Sequence, residues 1–398
     1  MNSFRYVGVI PASKSHFNRA LICKSFEPSL VLEGDSQCDD VQKMKAAFES
    51  LGRQSTYDCG SAGTVLRFLA LRLSRIPGEH ILKGTTRLFS RPQEDFAEIF
   101  QQLGVAYEFH PDRLIIRSSG WKPLKSLKVN REKSSQFVSG VLLNSWDLDF
   151  PLKIEWDQAG ISEGYWQMSV QVVSDLGMKL SSTENSVLIP AHSKIQARHY
   201  RIESDLSSSF AIAAYAALNG EATFLNFPFQ SLQPDKVFVK ILEKMGAGVE
   251  IKPDQVRIFK KSSLHGVHWS LRDCPDLFPV LSTLCAFAKG PSRLDGAPHL
   301  VFKESNRIQK TAEILSHMGV ATEILSDGME IHPPQNLVIP SRPFDYDTDH
   351  DHRLAFAAAL LRSQSYPIQI LHPEVVNKSF PEFWDILNPA HPGLKKIT

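Results

Sequence analysis

The sequence predicts an α/β protein of two domains, each holding three βαβαββ-like repeats with buried helices inside and sheets outside. Two series of landmarks predict it. In the first, a short polar cluster runs into a small apolar segment six times: Ser13-Lys14-Ser15, Gly60-Ser61-Ala62-Gly63-Thr64, Ser134-Ser135-Gln136, Asp205-Leu206-Ser207-Ser208, Cys274-Pro275-Asp276 and His350-Asp351-His352-Arg353. Counted from Lys14, Ala62, Ser135, Leu206, Asp276 and Asp351, the steps are 48, 73, 71, 70 and 75 residues. In the second, an apolar residue plus glycine closes an amphipathic stretch at Leu51-Gly52, Leu103-Gly104, Leu176-Gly177, Met245-Gly246 and Met318-Gly319, the glycines lying 52, 73, 69 and 73 residues apart. Both series have one short step, at the first repeat, and a beat shared by two unrelated markers is the signature of a repeat architecture.

Each polar cluster has the residue types that start a helix. The apolar runs behind them, such as Val65–Leu73, Phe137–Leu143 and Leu354–Leu361, predict the first helix of each repeat. The run Phe210–Leu218 is apolar nearly all round, so this helix type should be buried on every side. Phe96, Ile99, Phe100 and Leu103 fall at i, i+3, i+4 and i+7, as do Phe238, Ile241, Leu242 and Met245. That spacing predicts a second helix with one buried stripe, and the glycine behind it suits a left-handed C-cap. Strands are expected at Val105–Phe109, Val249–Ile251 and Ala321–Ile324. Only seven residues separate Gly52 from Gly60, which predicts a first repeat short of two peripheral strands. A chain of 398 residues exceeds a single core.

Composition narrows the function. With 44 basic and 43 acidic residues the net charge is +1, which excludes a general nucleic-acid or membrane-surface binder. Five scattered cysteines without a C-x-x-C fit free thiols in a reducing compartment and give no zinc signal. Met1–Val9 has no signal-peptide stretch, and no apolar run approaches the roughly 20 residues of a membrane span. A cytoplasmic protein is expected. A helix start offers free N–H groups and a positive dipole end, so six such starts suit a heavily anionic ligand. Lys14 stands at one, and Arg91 precedes Pro92 at another; the dipole disfavours a cation there unless an anion is present.

The clusters also resemble a known family. Pro11-Ala12-Ser13-Lys14-Ser15 with Asn18-Arg19, Gly60-Ser61-Ala62-Gly63-Thr64, Arg91-Pro92, Ser134-Ser135-Gln136-Phe137, Lys303-Glu304-Ser305-Asn306-Arg307, Asp351-His352-Arg353 and Asn377-Lys378-Ser379-Phe380-Pro381 are similar, in order, to seven motifs of the enolpyruvyl transferases. The likeness is strongest to the shikimate-pathway branch of aromatic amino-acid biosynthesis. It implies two globular domains whose helix starts face one interdomain cleft. The chain would cross between them near Ser13 and Ser204, giving domain I as 1–12 with 204–398 and domain II as 13–203. The implied reaction moves the enolpyruvyl group of phosphoenolpyruvate onto the 5-hydroxyl of shikimate 3-phosphate, releases phosphate, and uses no metal or organic cofactor. The implied partners are these two small molecules alone, with no nucleic acid and no membrane, and the implied state is a monomer.

The resemblance also implies roles. Lys14, Ser15, Arg19, Ser134, Ser135, Gln136, Ser162, Asp276 and Lys303 would hold shikimate 3-phosphate. Lys14, Gly63, Arg91, Gln136, Arg307, Arg353 and Lys378 would hold phosphoenolpyruvate, whose phosphate and carboxylate both suit guanidinium forks. The chemistry adds one proton to a methylene carbon and removes one from a hydroxyl, work for two positioned carboxyl groups. Asp276 and Glu304 would supply them, beside Lys14, with His352 and Tyr165 in support. Each residue also has a plainer reading: Ser134 and Ser135 as N-caps, Asp276 as a cap, Glu304 as a partner of Lys303 or Lys310. The stretch Asp347–His352 has metal-like composition but reads better as an acidic helix start. The sequence departs from the family at Ser61, at His299, and at Ser162-Glu163-Gly164-Tyr165, where a basic residue is missing. Two alternatives remain. One is the sister enzyme acting on UDP-N-acetylglucosamine, whose reactive Cys has no counterpart in Lys83–Ser90. The other is a catalytically impaired paralogue that binds a ligand.

Overall fold

All six apolar runs form helices, and they are buried along most of their length. The computed structural model describes residues 3–158 and 160–388. It divides the chain into two compact units, one of residues up to Pro11 plus Ser204 onward, the other Ala12–Glu203. The opening strand, β1 (Phe4–Gly8), belongs to the first of these.

The Ala12–Glu203 unit contains three repeats. The first has α1 (Lys14–Lys24), β2 (Val31–Glu33) and α2 (Asp39–Glu49). The second runs β3 (Thr56–Asp58), α3 (Gly63–Leu73), β4 (Gly78–Lys83), a short α4 (Thr86–Phe89), α5 (Asp95–Leu103), β5 (Ala106–His110) and β6 (Arg113–Ser118). The third runs β7 (Leu127–Lys128), α6 (Gln136–Leu143), β8 (Leu152–Glu155), α7 (Glu163–Asp175), β9 (Ser181–Ser182) and β10 (Ser186–Ile189), and β11 (His199–Arg201) follows. Helices α1, α3 and α6 pack on one another at the centre. Their apolar side chains, with one face each of α2, α5 and α7, form a single core.

The other unit repeats the plan. Its first repeat is α8 (Leu206–Asn219), β12 (Gly220–Leu225), α9 (Phe238–Lys244), β13 (Gly248–Lys252) and β14 (Gln255–Phe259). Next come β15 (His268–Ser270), α10 (Phe278–Ala286), β16 (Ser292–Asp295), α11 (Arg307–His317), β17 (Ala321–Leu325) and β18 (Gly328–His332). The last has β19 (Phe344–Asp347), α12 (His352–Ser363), β20 (Ile368–Leu371) and α13 (Phe383–Leu387). Helices α8, α10 and α12 pack together, and α8 is buried from Leu206 to Leu218. This unit has its own separate core.

Four sheets share one topology: first strand parallel to the second, then an antiparallel hairpin laid on the second strand's other edge. They are β3-β4-β6-β5, β7-β8-β10-β9, β1-β12-β14-β13 and β15-β16-β18-β17. The expected loss of a hairpin in the first repeat is seen as the two-stranded sheet β11-β2. A second shortened repeat, not expected, is β19-β20. There the chain enters a 3₁₀ turn, Pro373–Lys378, and then α13, instead of a hairpin. The glycines closing the amphipathic helices, Gly52, Gly104, Gly177, Gly246 and Gly319, all have positive φ. At Gly104 (φ 72°) this is the left-handed C-cap that a side chain would strain. No helix among the described residues is long and apolar enough to cross a membrane.

Candidate active site

Nearly every residue singled out above lies at or just before a helix start, because these starts carry the polar clusters. In the Ala12–Glu203 unit, Lys14 opens α1, and Ser13 caps it by accepting from the His16 N–H (3.4 Å). The adverse dipole at Lys14 is offset by Asp40 in the first turn of α2, 3.0 Å from its Nζ. Ser15 lies in the same first turn as Lys14, and its carbonyl accepts from Arg19 (2.7 Å). Arg19 is itself buried; its Nε donates to Ser169 Oγ (2.7 Å) and its Nη2 to the Tyr165 carbonyl (3.0 Å). Burial pulls the Arg19 pKa down to about 10.

Gly63 is the first residue of α3. A Cβ there would lie 2.9 Å from Arg91 Nη1, so this glycine makes room for the Arg91 guanidinium. Ser134 Oγ accepts from the Gln136 N–H (3.2 Å), whereas Ser135 makes no side-chain cap. Buried Arg67 joins these motifs. It donates to Gln136 Oε1 (2.9 Å), Ser134 Oγ (3.4 Å), Gln93 Oε1 (3.3 Å) and the Pro92 carbonyl (2.8 Å). Gln136 Nε2 in turn donates to Thr64 Oγ1 (3.3 Å). Ser162 precedes α7 in a left-handed conformation (φ 56°, ψ 46°), and Tyr165 lies one turn on.

In the other unit, three helix starts bring an ionic cluster together. Arg307, 1% exposed in its side chain at the start of α11, is its centre. It donates to Asp276 Oδ1 (2.7 Å), Glu304 Oε2 (3.1 Å) and Asp351 Oδ2 (2.8 Å). Arg353 reaches Asp276 Oδ2 (3.3 Å), Lys303 stands 4.0 Å from Asp276, and Lys378 3.6 Å from Glu304. Glu304 thus pairs with Arg307 and Lys378, while Lys310 pairs with Glu313 (2.6 Å). Asp351 caps α12 through the Arg353 N–H (3.0 Å) and lies 3.7 Å from His352 Nδ1.

Burial alone would raise the Asp276 pKa, but Arg307, Arg353 and Lys303 outweigh it and hold the carboxyl well below the usual range. Asp235 shows the converse. Burial and the nearby Asp276 push it up to about 7 against the pull of Arg353, and the Ser207 hydroxyl donates to it. The His299 ring is buried, and neither nitrogen has a hydrogen-bond partner among the described residues. Burial, with Lys303 next, pushes its pKa down to about 3, so it stays neutral. Among the described residues no group of three or more His, Cys, Asp and Glu is placed to hold a metal ion.

Asp40, Arg67 and Asp235 were not singled out from the sequence, and Asp351 was named only as a repeat marker and motif member, without a role. Arg67 alone left a visible trace, a charge inside an apolar run.

The family model for EPSP synthase (3-phosphoshikimate 1-carboxyvinyltransferase) matches residues 40–387. The chain belongs to the EPSP synthase family. It is 33% identical over 336 residues to the 3-phosphoshikimate 1-carboxyvinyltransferase of Syntrophobacter fumaroxidans, covering 82% of this chain and 78% of that one. With the enzyme of the same name from Nostoc sp. it shares 28% identity over 410 residues, 94% of each chain. Among solved structures, EPSP synthase from Acinetobacter baumannii superposes with a TM-score of 0.76 at 22% identity, covering 98% of this chain and 96% of that one. The enolpyruvyl transferase NikO from Streptomyces tendae gives 0.72 at 14% identity, covering 98% and 95%. Both show the two-domain enolpyruvyl-transferase fold.

Proposed function

We propose that this protein transfers the enolpyruvyl group of phosphoenolpyruvate to the 5-hydroxyl of shikimate 3-phosphate, releasing phosphate. Family membership supports the reaction. The observation that carries it in this chain is the cluster of Asp276, Glu304, Arg307, Arg353, Lys303 and Lys378, two catalytic-type carboxylates embedded in four cations. A bystander that merely bound a ligand has no need to hold two part-buried carboxylates against buried arginines, since such a cluster is costly to desolvate.

In this reading Lys14, Ser15, Arg19, Ser134, Ser135, Gln136, Ser162, Asp276 and Lys303 take shikimate 3-phosphate. Lys14, Gly63, Arg91, Gln136, Arg307, Arg353 and Lys378 take phosphoenolpyruvate. Asp276 is a weak base while Arg307 and Arg353 belong to it. Anionic substrate groups that draw on the same guanidiniums weaken that hold and raise its basicity, so substrate binding itself readies Asp276 to accept the hydroxyl proton. Glu304, bridged between Arg307 and Lys378, handles the proton at the methylene carbon. Residues 1–12 with 204–398 then act as the domain carrying the carboxylates, and 13–203 as the domain carrying most shikimate 3-phosphate contacts. The protein works as a cytoplasmic monomer without cofactor.

Phosphate release on incubation with both substrates tests the reading. Wild-type protein should release phosphate only when both are present. Lys14→Met should abolish release while keeping the wild-type circular dichroism. Turnover with UDP-N-acetylglucosamine in place of shikimate 3-phosphate, or none with either, would overturn it.

A further inference from the structure

The segment Gly160–Tyr165, which leads into α7, lacks the basic residue that the family resemblance implies there, and the structure shows a cation entering from elsewhere. Arg131 lies in the connection between β7 and α6, three residues before Ser134. Its side chain is buried, 4.5 Å from the Trp156 ring centre and 5.4 Å from that of Trp166. These two rings meet edge-on at 5.5 Å. Its Nη2 donates to Glu163 Oε2, and its backbone carbonyl accepts from the Ile161 N–H (3.2 Å). A Cβ on Gly160 would lie 2.8 Å from the Arg131 Cβ, so the loop backbone is laid directly on this side chain.

Between Ile161 and Glu163, both fastened to Arg131, stands Ser162 at φ 56°. A left-handed conformation is unfavourable for a serine and persists only where neighbours over-determine it. We infer that Arg131 is a positioning residue that holds Ser162 in this conformation and so presents its hydroxyl to shikimate 3-phosphate. The planar guanidinium suits the task because it stacks on the indoles while its edge binds the Glu163 carboxylate, which a lysine ammonium does not combine. Because Arg131 and Ser134 share one connection, the same side chain also sets the Ser162 loop relative to the Ser134-Ser135-Gln136 cluster.

The inference rests on the proposed role of Ser162, so the test is a double-mutant cycle read by steady-state kinetics. Loss of one hydroxyl contact to the phosphorylated substrate should raise KM for shikimate 3-phosphate about tenfold in Ser162→Ala. Arg131→Met and Glu163→Ala should each raise the same KM by a similar factor, with kcat and KM for phosphoenolpyruvate close to wild type. Adding either change to Ser162→Ala should have no further effect. Arg131→Lys should recover little. Glu163 is part-exposed and its change leaves the indole packing in place, so it decides the matter should Arg131→Met fail to fold. Unchanged KM in Glu163→Ala, or effects that multiply with that of Ser162→Ala, would overturn the positioning role. A neutral Ser162→Ala alongside an intact phosphate-release reaction would remove Ser162 from the site, and this inference with it, while leaving the proposed reaction standing.

Discussion

Glu304 and Asp276 share Arg307 yet keep different company. Asp276 has two guanidiniums and an ammonium; Glu304 has one guanidinium and the Lys378 ammonium. Glu304→Gln keeps the shape and the hydrogen bond but removes the proton carrier. It should lower kcat about 10²–10⁴-fold with little change in KM for shikimate 3-phosphate; a raised KM at unchanged kcat would make Glu304 a binding residue instead. His16 illustrates a different use of burial. Its ring nitrogens meet the Tyr200 hydroxyl (2.8 Å) and the Glu203 N–H (3.5 Å). Burial, with Arg19 adding, pushes its pKa from 6.5 down to about 4. The unfolded chain therefore takes up this proton before the folded one, and stability present above pH 6.5 is lost as pH falls toward 4. In urea titrations, His16→Asn should flatten that acid-side slope by at most about 3 kcal/mol. An unaltered slope would mean the ring titrates normally in the fold.

At the scale of elements, β1 depends on a missing side chain. Gly220 opens β12 opposite Phe4, where it is required for space. A Cβ there would overlap the Phe4 carbonyl oxygen. Gly220→Ala should therefore cost about 1–3 kcal/mol and remove amide-exchange protection along Phe4–Gly8 while β13 and β14 stay protected. Uniform loss across the sheet would show that β1 is no separable element. Helix type and position were legible in advance because periodicity and caps are local: the i, i+3, i+4, i+7 stripe of α5 and the glycines at positive φ need no distant partner. Sheet membership was not, apart from the crossings near Ser13 and Ser204 that the family resemblance implied. β1 precedes α1 in the chain but pairs with β12 behind α8, while β11 precedes α8 but pairs with β2 behind α1. Nothing in a five- or three-residue strand encodes that exchange.

For the whole molecule, the exchange has an asymmetric consequence. Every strand of the Ala12–Glu203 unit pairs within Ala12–Glu203, and its core is drawn from the same residues. The other unit needs β1 from the far end of the chain. Expressed alone, residues 12–203 should melt cooperatively. A fragment of residues 204–398 should be markedly less stable, and a peptide of residues 1–11 added in trans should raise its melting temperature in a concentration-dependent way. A 204–398 fragment indifferent to that peptide would show that β1 is dispensable to its unit.

By itself the sequence determined the sixfold repeat, the two helix types, the polar helix starts, the shortened first repeat and, through seven ordered motifs, the family. All of these are written in residues close together in the chain, where spacing alone carries the physics. The tertiary structure decided which charges meet. Asp40 neutralises Lys14 across 26 residues, Arg67 gathers Gln93, Ser134 and Gln136, and Asp351 anchors Arg307 across 44. It also decided that Arg131, and not a residue of the loop itself, braces Ser162. Such partners are chosen by which helix starts the fold brings side by side. The free energy that keeps them charged inside the protein comes from pairing at distances of about 3–4 Å, which no spacing along the chain discloses.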